Sequence, residues 1–371
     1  MKTRASLTVG SPESSLAGNL ARAVVKRLQE TSPRLACGHL PVKCEEPAAE
    51  EETPFLAEPP SVAAAMDARL LAGEFRLVAR YAADQRSPLR EGIVRAAVLE
   101  RGTPFDAFLN RDGRITDDMP AGALIGVLNQ RARAQMQALW PQLEVRLLSG
   151  GVERSVEAMM RHRLVDGLVL PAIAAEQLGI QALVTEIYYP EMMLPAGGQG
   201  VTVLLARESD EEAREIARTL HSPATLLELD AEMSFMERVA ASDDVPAGVL
   251  ARVEGRRVVI TAAIASSTGS SVNRATREGP ALQAVKLGAE LGEHLLLNAD
   301  SLLTLLEADF PEGLPAGELD EEVAARLDED GFAPEVLHEG AAPVLDDEDR
   351  FARAVDFEPD DDELDDGEDR D

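Results

Sequence analysis

Four of the 371 residues are lysine, one is tryptophan, three are tyrosine and two are cysteine. Each scarcity excludes something. Cys37 and Cys44 cannot make a disulfide framework, so the fold must hold without covalent staples, and a reducing, cytoplasmic setting is expected. Aromatics supply only 4% of the chain, so the core must be built from Ala, Val, Leu and Ile. No apolar run nears the ~20 residues of a membrane span, and mean hydropathy is -0.12, so no membrane partner is expected. Residues 1–11 carry basic groups but no apolar stretch of signal-peptide length. Basic charge is also short: 36 Lys+Arg against 67 Asp+Glu give a net charge of -31, which argues against nucleic acid as a partner. Much of the excess lies between Glu312 and Asp371, where 25 acids face 4 arginines. The preceding residues are an ordinary acidic globule with a net charge of about -10.

Common chemical signatures are missing too. There is no GxxxxGK[ST], GxGxxG or HExxH. None of the five histidines stands beside a candidate nucleophile in sequence; Ser222, which follows His221, carries no nucleophile motif. Cys37, His39 and Cys44 are one ligand short of a structural zinc site, so no metal is expected.

What is present has a rhythm. Leu16, Leu20, Val24 and Leu28 share one helical face. Residues 45–60 are Glu-, Pro- and Ala-rich and read as a mobile loop. A second helix carries Val62, Met66 and Leu70 and ends at Gly73. From residue 122 short strands alternate with short helices, which predicts a mostly parallel sheet covered on both faces. Helices are expected at 210–220 and 224–241, strands at 248–253 and 257–265, and a long helix at 281–297. Residues 312–371 lack a periodic apolar face and are expected to be disordered, with a solvated acidic end favoured over a docking tail of unknown partner.

Two local features suggest ligand chemistry. The loop Pro195-Ala-Gly-Gly-Gln-Gly200 has the glycines needed for close backbone approach. Gln130-Arg131-Ala132-Arg133 opens a helix after a strand, where amides and guanidinium groups suit a carboxylate.

These pieces fall in one order with others. LLAGEFRLVARYAADQRS (70–87), GTPFDAFL (102–109), the run 119–155, VDGLVLPAIAAEQLGI (165–180) and TEIYYPEMMLPAGGQGVTVLLAR (185–207) are arranged as in one enzyme family. Over about residues 66–310, and more loosely over 6–40, the chain resembles the porphobilinogen deaminase (hydroxymethylbilane synthase) family of tetrapyrrole biosynthesis. The resemblance implies an α/β fold of three domains. Two resemble periplasmic binding proteins, spanning 1–100 with 197–221 and 101–196. A small α+β domain would span 222–311, and the acidic tail 312–371.

It also implies a site. The family's catalytic aspartate falls on Asp84, which would stabilise the cation formed as ammonia leaves the pyrrole. Arg131, Arg133, Arg154 and Gln199 are the candidate substrate-binding residues, facing the acetate and propionate groups of porphobilinogen or another small carboxylate. Other family positions have changed. The lysine before the aspartate is Ala83, two arginines fall on Ser149 and Ser155, and the cofactor-attachment cysteine falls on Asp243. A carboxylate cannot make the thioether to a dipyrromethane, so the expectation is no cofactor and a polymerising activity lost or much reduced, as in a pseudoenzyme. Two rivals stand beside it: an active hydroxymethylbilane synthase with a non-covalent primer, and a non-enzymatic protein that binds a small acid or regulates.

Overall fold

The structure is a computed structural model that describes residues 6–44, 59–85, 88–239 and 245–298. The segment 45–58 and everything beyond 298, including the acidic tail, lie outside the described residues.

The first lobe begins with β1 (Ser6–Pro12), α1 (Ser15–Thr31), β2 (Ala36–Val42), α2 (Pro60–Ala72), β3 (Leu77–Tyr81) and β4 (Ile93–Val98). Ser14 caps α1 by accepting a hydrogen bond from the Ala17 amide at 3.1 Å. The apolar face of α1, from Leu16 through Leu28, is buried. Gly73 ends α2 in the left-handed conformation, which only glycine adopts freely.

The second lobe holds β5 (Asp106–Asn110), β6 (Leu124–Val127), α3 (Gln130–Leu139), β7 (Glu144–Leu147), α4 (Gly151–Met160), β8 (Gly167–Pro171), α5 (Ala172–Leu178) and β9 (Val184–Tyr188). The chain then returns through β10 (Thr202–Arg207) to the first sheet and continues into α6 (Glu211–Arg218). The sheet orders are β2-β1-β3-β10-β4 and β7-β6-β8-β5-β9.

The sheets are mixed rather than mostly parallel. The pairings β1–β2, β1–β3, β6–β7 and β6–β8 are parallel. The pairings of β10 with β3 and β4, and of β5 with β8 and β9, are antiparallel. The two reversed strands are those that follow the passages between sheets, so each enters its sheet from the opposite end. Hydrophobic periodicity reports which face is buried and is blind to strand direction.

The remainder is α7 (Pro223–Val239), β11 (Ala247–Glu254), β12 (Arg257–Ala265), β13 (Val272–Pro280) and α8 (Ala284–Asn298). The three strands form an antiparallel sheet, and α7 and α8 bury one of its faces around Phe235, Val249, Ile260 and Leu291. Each such side chain contributes roughly 1.5–3 kcal/mol on burial. No helix among the described residues is long and apolar enough to cross a membrane.

Candidate functional site

The two passages between the lobes run against each other. The Gly102 amide donates to the Gly200 carbonyl at 2.9 Å. Gly200 has φ +79°, and a Cβ there would lie 2.8 Å from the Thr103 carbonyl oxygen, so only glycine fits this crossing. Gly198, at φ +76°, packs against Ala82 and Ala83 in the turn that ends in Asp84. The Ala82 amide donates to the Val201 carbonyl at 2.9 Å. The glycine-rich return loop thus seats the short 3-10 turn Ala82–Asp84, and Asp84 itself is buried.

Four buried charges, in two pairs, organise this crossing. Asn129 caps α3 by accepting from the Ala132 amide at 2.9 Å, which sets Arg131 in the first turn. Arg131 then turns inward. Its guanidinium donates to Asp106 Oδ1 at 3.0 Å and to the Leu194 carbonyl at 2.7 Å. Both side chains are almost fully buried, at 5% and 1% exposure. Gln199 donates to the same Asp106 oxygen at 3.2 Å and to the Pro104 carbonyl at 2.8 Å.

Glu232 of α7 forms the second pair with Arg101. It accepts from Arg101 at 2.6 Å, the Gly198 amide at 2.7 Å and the Ala251 amide at 2.8 Å. One fully buried carboxylate therefore ties both passages to the small sheet. A buried pair of this kind is costly to break, about 3–5 kcal/mol, because one charge is left without a partner.

The facing helix ends of the two lobes form a second cluster. The Leu16 amide in the first turn of α1 donates to Glu153 Oε1 of α4 at 3.0 Å. Burial pushes the Glu153 pKa up, and backbone amides at Leu16, Glu153 and Ser15 oppose that shift. Asn19 donates to the Gln177 carbonyl at 2.6 Å across the same seam. The Tyr81 hydroxyl, at the end of β3, is buried and has no hydrogen-bond partner among the described residues. Its pKa is strongly raised by burial and then by the carboxylates of Asp84, Glu153 and Glu176.

The sequence-predicted residues therefore separate. Arg131 and Gln199 meet at Asp106, where both are buried. Asp84 joins them through the glycine loop. Arg154 lies over Gly150 at the start of α4, and Arg133 is half-buried on α3. Ser155 is buried and donates to the Gly151 carbonyl at 2.7 Å. Asp243 lies outside the described residues. Asp106, Arg101, Glu232 and Glu153 went unnoticed in the sequence. Asp106 and Glu153 stand inside motif segments and Arg101 beside one, while Glu232 stands in none, and no pattern distinguishes an internal charge from a surface one.

Among the described residues no group of three His, Cys, Asp or Glu side chains could hold a metal. His39 pairs instead with the Ser11 hydroxyl at 2.8 Å. A shallow depression of about 450 Å³ lies elsewhere, between Arg27, Glu30 and His221.

Comparison with known proteins adds a family. The model for porphobilinogen deaminase, dipyromethane cofactor binding domain, matches residues 7–215. The porphobilinogen deaminase of Desulforamulus reducens is 28% identical over 291 residues, covering 78% of this chain and 94% of its own. That of Thermus thermophilus is 31% identical over 294 residues, covering 78% and 95%. That of Desulforudis audaxviator is 34% identical over 244 residues, covering 66% and 79%.

The match overturns the expectation of no cofactor, because the domain it describes is the one that binds dipyrromethane. That expectation rested on the single position Asp243, whereas the matched binding domain extends over both lobes. The thiols present do not fit a thioether. Burial raises the Cys37 pKa, which disfavours the nucleophilic thiolate, and Cys44 is turned toward the Val42 carbonyl.

Proposed function

The chain belongs to the porphobilinogen deaminase family, and on that premise we propose that it binds porphobilinogen or a related pyrrole carboxylate at the seam between its lobes, with polymerisation much reduced. The observation that carries this reading is the engagement of Arg131. The guanidinium expected to meet a substrate carboxylate is bound within the protein by Asp106 and the Leu194 carbonyl. Gln199 is bound to the same aspartate. Every added pyrrole brings an acetate and a propionate. A growing chain therefore needs more cations than a single pyrrole does, and each missing charged partner costs about 2–5 kcal/mol.

Asp84 retains the part that a single pyrrole needs. When the aminomethyl group loses ammonia, the pyrrole is left with a positive charge, and a carboxylate held rigidly nearby stabilises it. The buried turn and the Gly198 contact supply that rigidity. Dipyrromethane would be held through its carboxylates by the candidate residues Arg133 and Arg154, and not by a carbon–sulfur bond to Cys37 or Cys44, whose thiols do not fit a thioether. Cys37 and Cys44 form no disulfide, which suits a reducing cytoplasm.

The test combines calorimetric titration with porphobilinogen and an assay for hydroxymethylbilane. Binding without sustained turnover is expected, and Asp84→Ala should abolish ammonia release. Sustained tetrapyrrole formation by the unaltered protein would instead favour the active enzyme with a non-covalent primer. Denaturation followed by intact-mass measurement checks the cofactor: an unmodified polypeptide mass, with Ehrlich-reactive pyrrole in the supernatant, is expected.

A further inference from the structure

Glu153 is in an unusual position for an acid. It is the third residue of α4, so its carboxylate faces the free amides at the start of its own helix. It also accepts from the Leu16 amide at the start of α1, a 17-residue helix of the other lobe. One carboxylate thus joins the positive ends of two helices from opposite sides of the seam. Charge complementarity there is complete without any ligand. The Tyr81 hydroxyl, buried to 2% exposure and without a hydrogen-bond partner among the described residues, lies close enough for the Glu153 charge to act on it. A donor left free next to an occupied anion seat is what remains when a side chain fills only part of a place shaped for a larger acid.

We infer that Glu153 is an internal stand-in for a ligand carboxylate: it fills a carboxylate seat formed by the α1 and α4 helix ends and Tyr81, and a ligand acid enters by displacing it. This inference rests on the reading of the seam as a pyrrole-carboxylate site and sharpens it. Glu153 becomes a specificity-determining residue. Each entering ligand must compete with a tethered carboxylate whose effective concentration is high. A small pyrrole with one acid to place meets that competition once. An elongating chain, which must hold several acids together, loses one of its seats while Glu153 is in place. The contact also ties the lobes, so displacement of Glu153 frees α1 from α4.

The decisive measurement is hydrogen exchange at the Leu16 amide, which reads the seat without any assay of turnover. Glu153→Ala should raise exchange at Leu16 by about tenfold or more, the effect of losing a hydrogen bond to a charged acceptor. Acetate, on the order of 0.1 M, should restore protection in Glu153→Ala and leave the unaltered protein unchanged. Porphobilinogen should bind Glu153→Ala about tenfold more tightly than it binds the unaltered protein. Glu153→Gln keeps the volume and an acceptor oxygen, so it serves if the alanine variant folds poorly. Its Leu16 exchange and its affinity should both fall between the other two. Unchanged Leu16 exchange in Glu153→Ala, no restoration by acetate, or a glutamine variant identical to the unaltered protein would each overturn the inference. Failure of every form to bind porphobilinogen would sink the reading of the seam as a pyrrole site, while the acetate result would still decide the role of Glu153.

Discussion

The crossing between the lobes and the seam in front of it are built from the same residue types and resolved in opposite ways. At the crossing, each buried charge meets its opposite: Arg131 with Asp106, and Arg101 with Glu232. At the seam, acids gather around Tyr81, and backbone amides rather than guanidinium groups answer Glu153. The difference teaches where the arginines went. Arg131, in frame with a substrate-binding motif, serves the framework, and the carboxylate at the seam is held by helix ends. Sequence position alone cannot show this, because a guanidinium at the start of a helix reaches inward or outward with equal ease.

The largest test of the contrast falls on Glu232. Glu232→Ala leaves buried Arg101 with only the more distant Glu228, at 3.7 Å, as a charged partner, and strips the Gly198 and Ala251 amides of their acceptor. A loss of about 4–5 kcal/mol of unfolding free energy is expected in a denaturant titration. A loss below about 1 kcal/mol would show that the crossing is solvated and the contrast false.

Arg131→Ala should cost somewhat less, about 3 kcal/mol, since Gln199 still serves Asp106. The sharper readout is binding. Porphobilinogen affinity, measured under conditions where the variant is folded, should stay within about threefold of the unaltered protein. A stable variant that loses binding would place Arg131 on the ligand after all.

Much of this architecture was legible. The apolar face of α1, the βα alternation and the strands β11 and β12 follow from periodicity and turn glycines. β13 did not, because its alternating burial is carried by Asn273, Ala275 and Arg277 rather than by large apolar residues. β5 was hidden for another reason: all five of its residues are buried, so Asp106–Asn110 shows no alternation. Of the site, Asp84 and the glycine loop stood out. The partners of Arg131 did not, since Asp106 lies 25 residues away and Leu194 contributes only a backbone oxygen.

Gly198→Ala probes the link between the two regions with a smaller effect. The residue has φ +76° and touches the Asp84 turn, so about 1–2 kcal/mol of backbone strain is expected. Because the added methyl would press on Ala82 and Ala83, ammonia release from porphobilinogen should fall by more than stability predicts. An equal fall in both would mean that the loop supports the fold and not the turn.

The smallest effect separates framework from seam by the sign of a pH dependence. Asp210 caps α6 and accepts from Arg76 at 2.9 Å. The hydrogen bond from Arg76 holds the Asp210 pKa down to about 2 from 3.8, against an opposing rise from burial. Between those values the unfolded chain binds the extra proton and the folded one does not. Stability from this pair is therefore complete above about pH 4 and is lost as pH falls toward 2. With allowance for solvent screening it amounts to about 1 kcal/mol. Glu153 works in the other direction. Its folded pKa lies above its ordinary 4.5, because burial disfavours the charge. Relative to the unfolded chain, its contribution is fully present below that ordinary value and declines as pH rises through the folded pKa. Asp210→Asn should flatten the stability profile on the acid side alone, and Glu153→Gln should flatten it above pH 4.5 alone. Denaturant unfolding at half-unit intervals from pH 2.5 to 7 resolves the two. If both variants flatten the same limb, the seam carboxylate is held as the framework acids are, and the distinction between the two regions collapses.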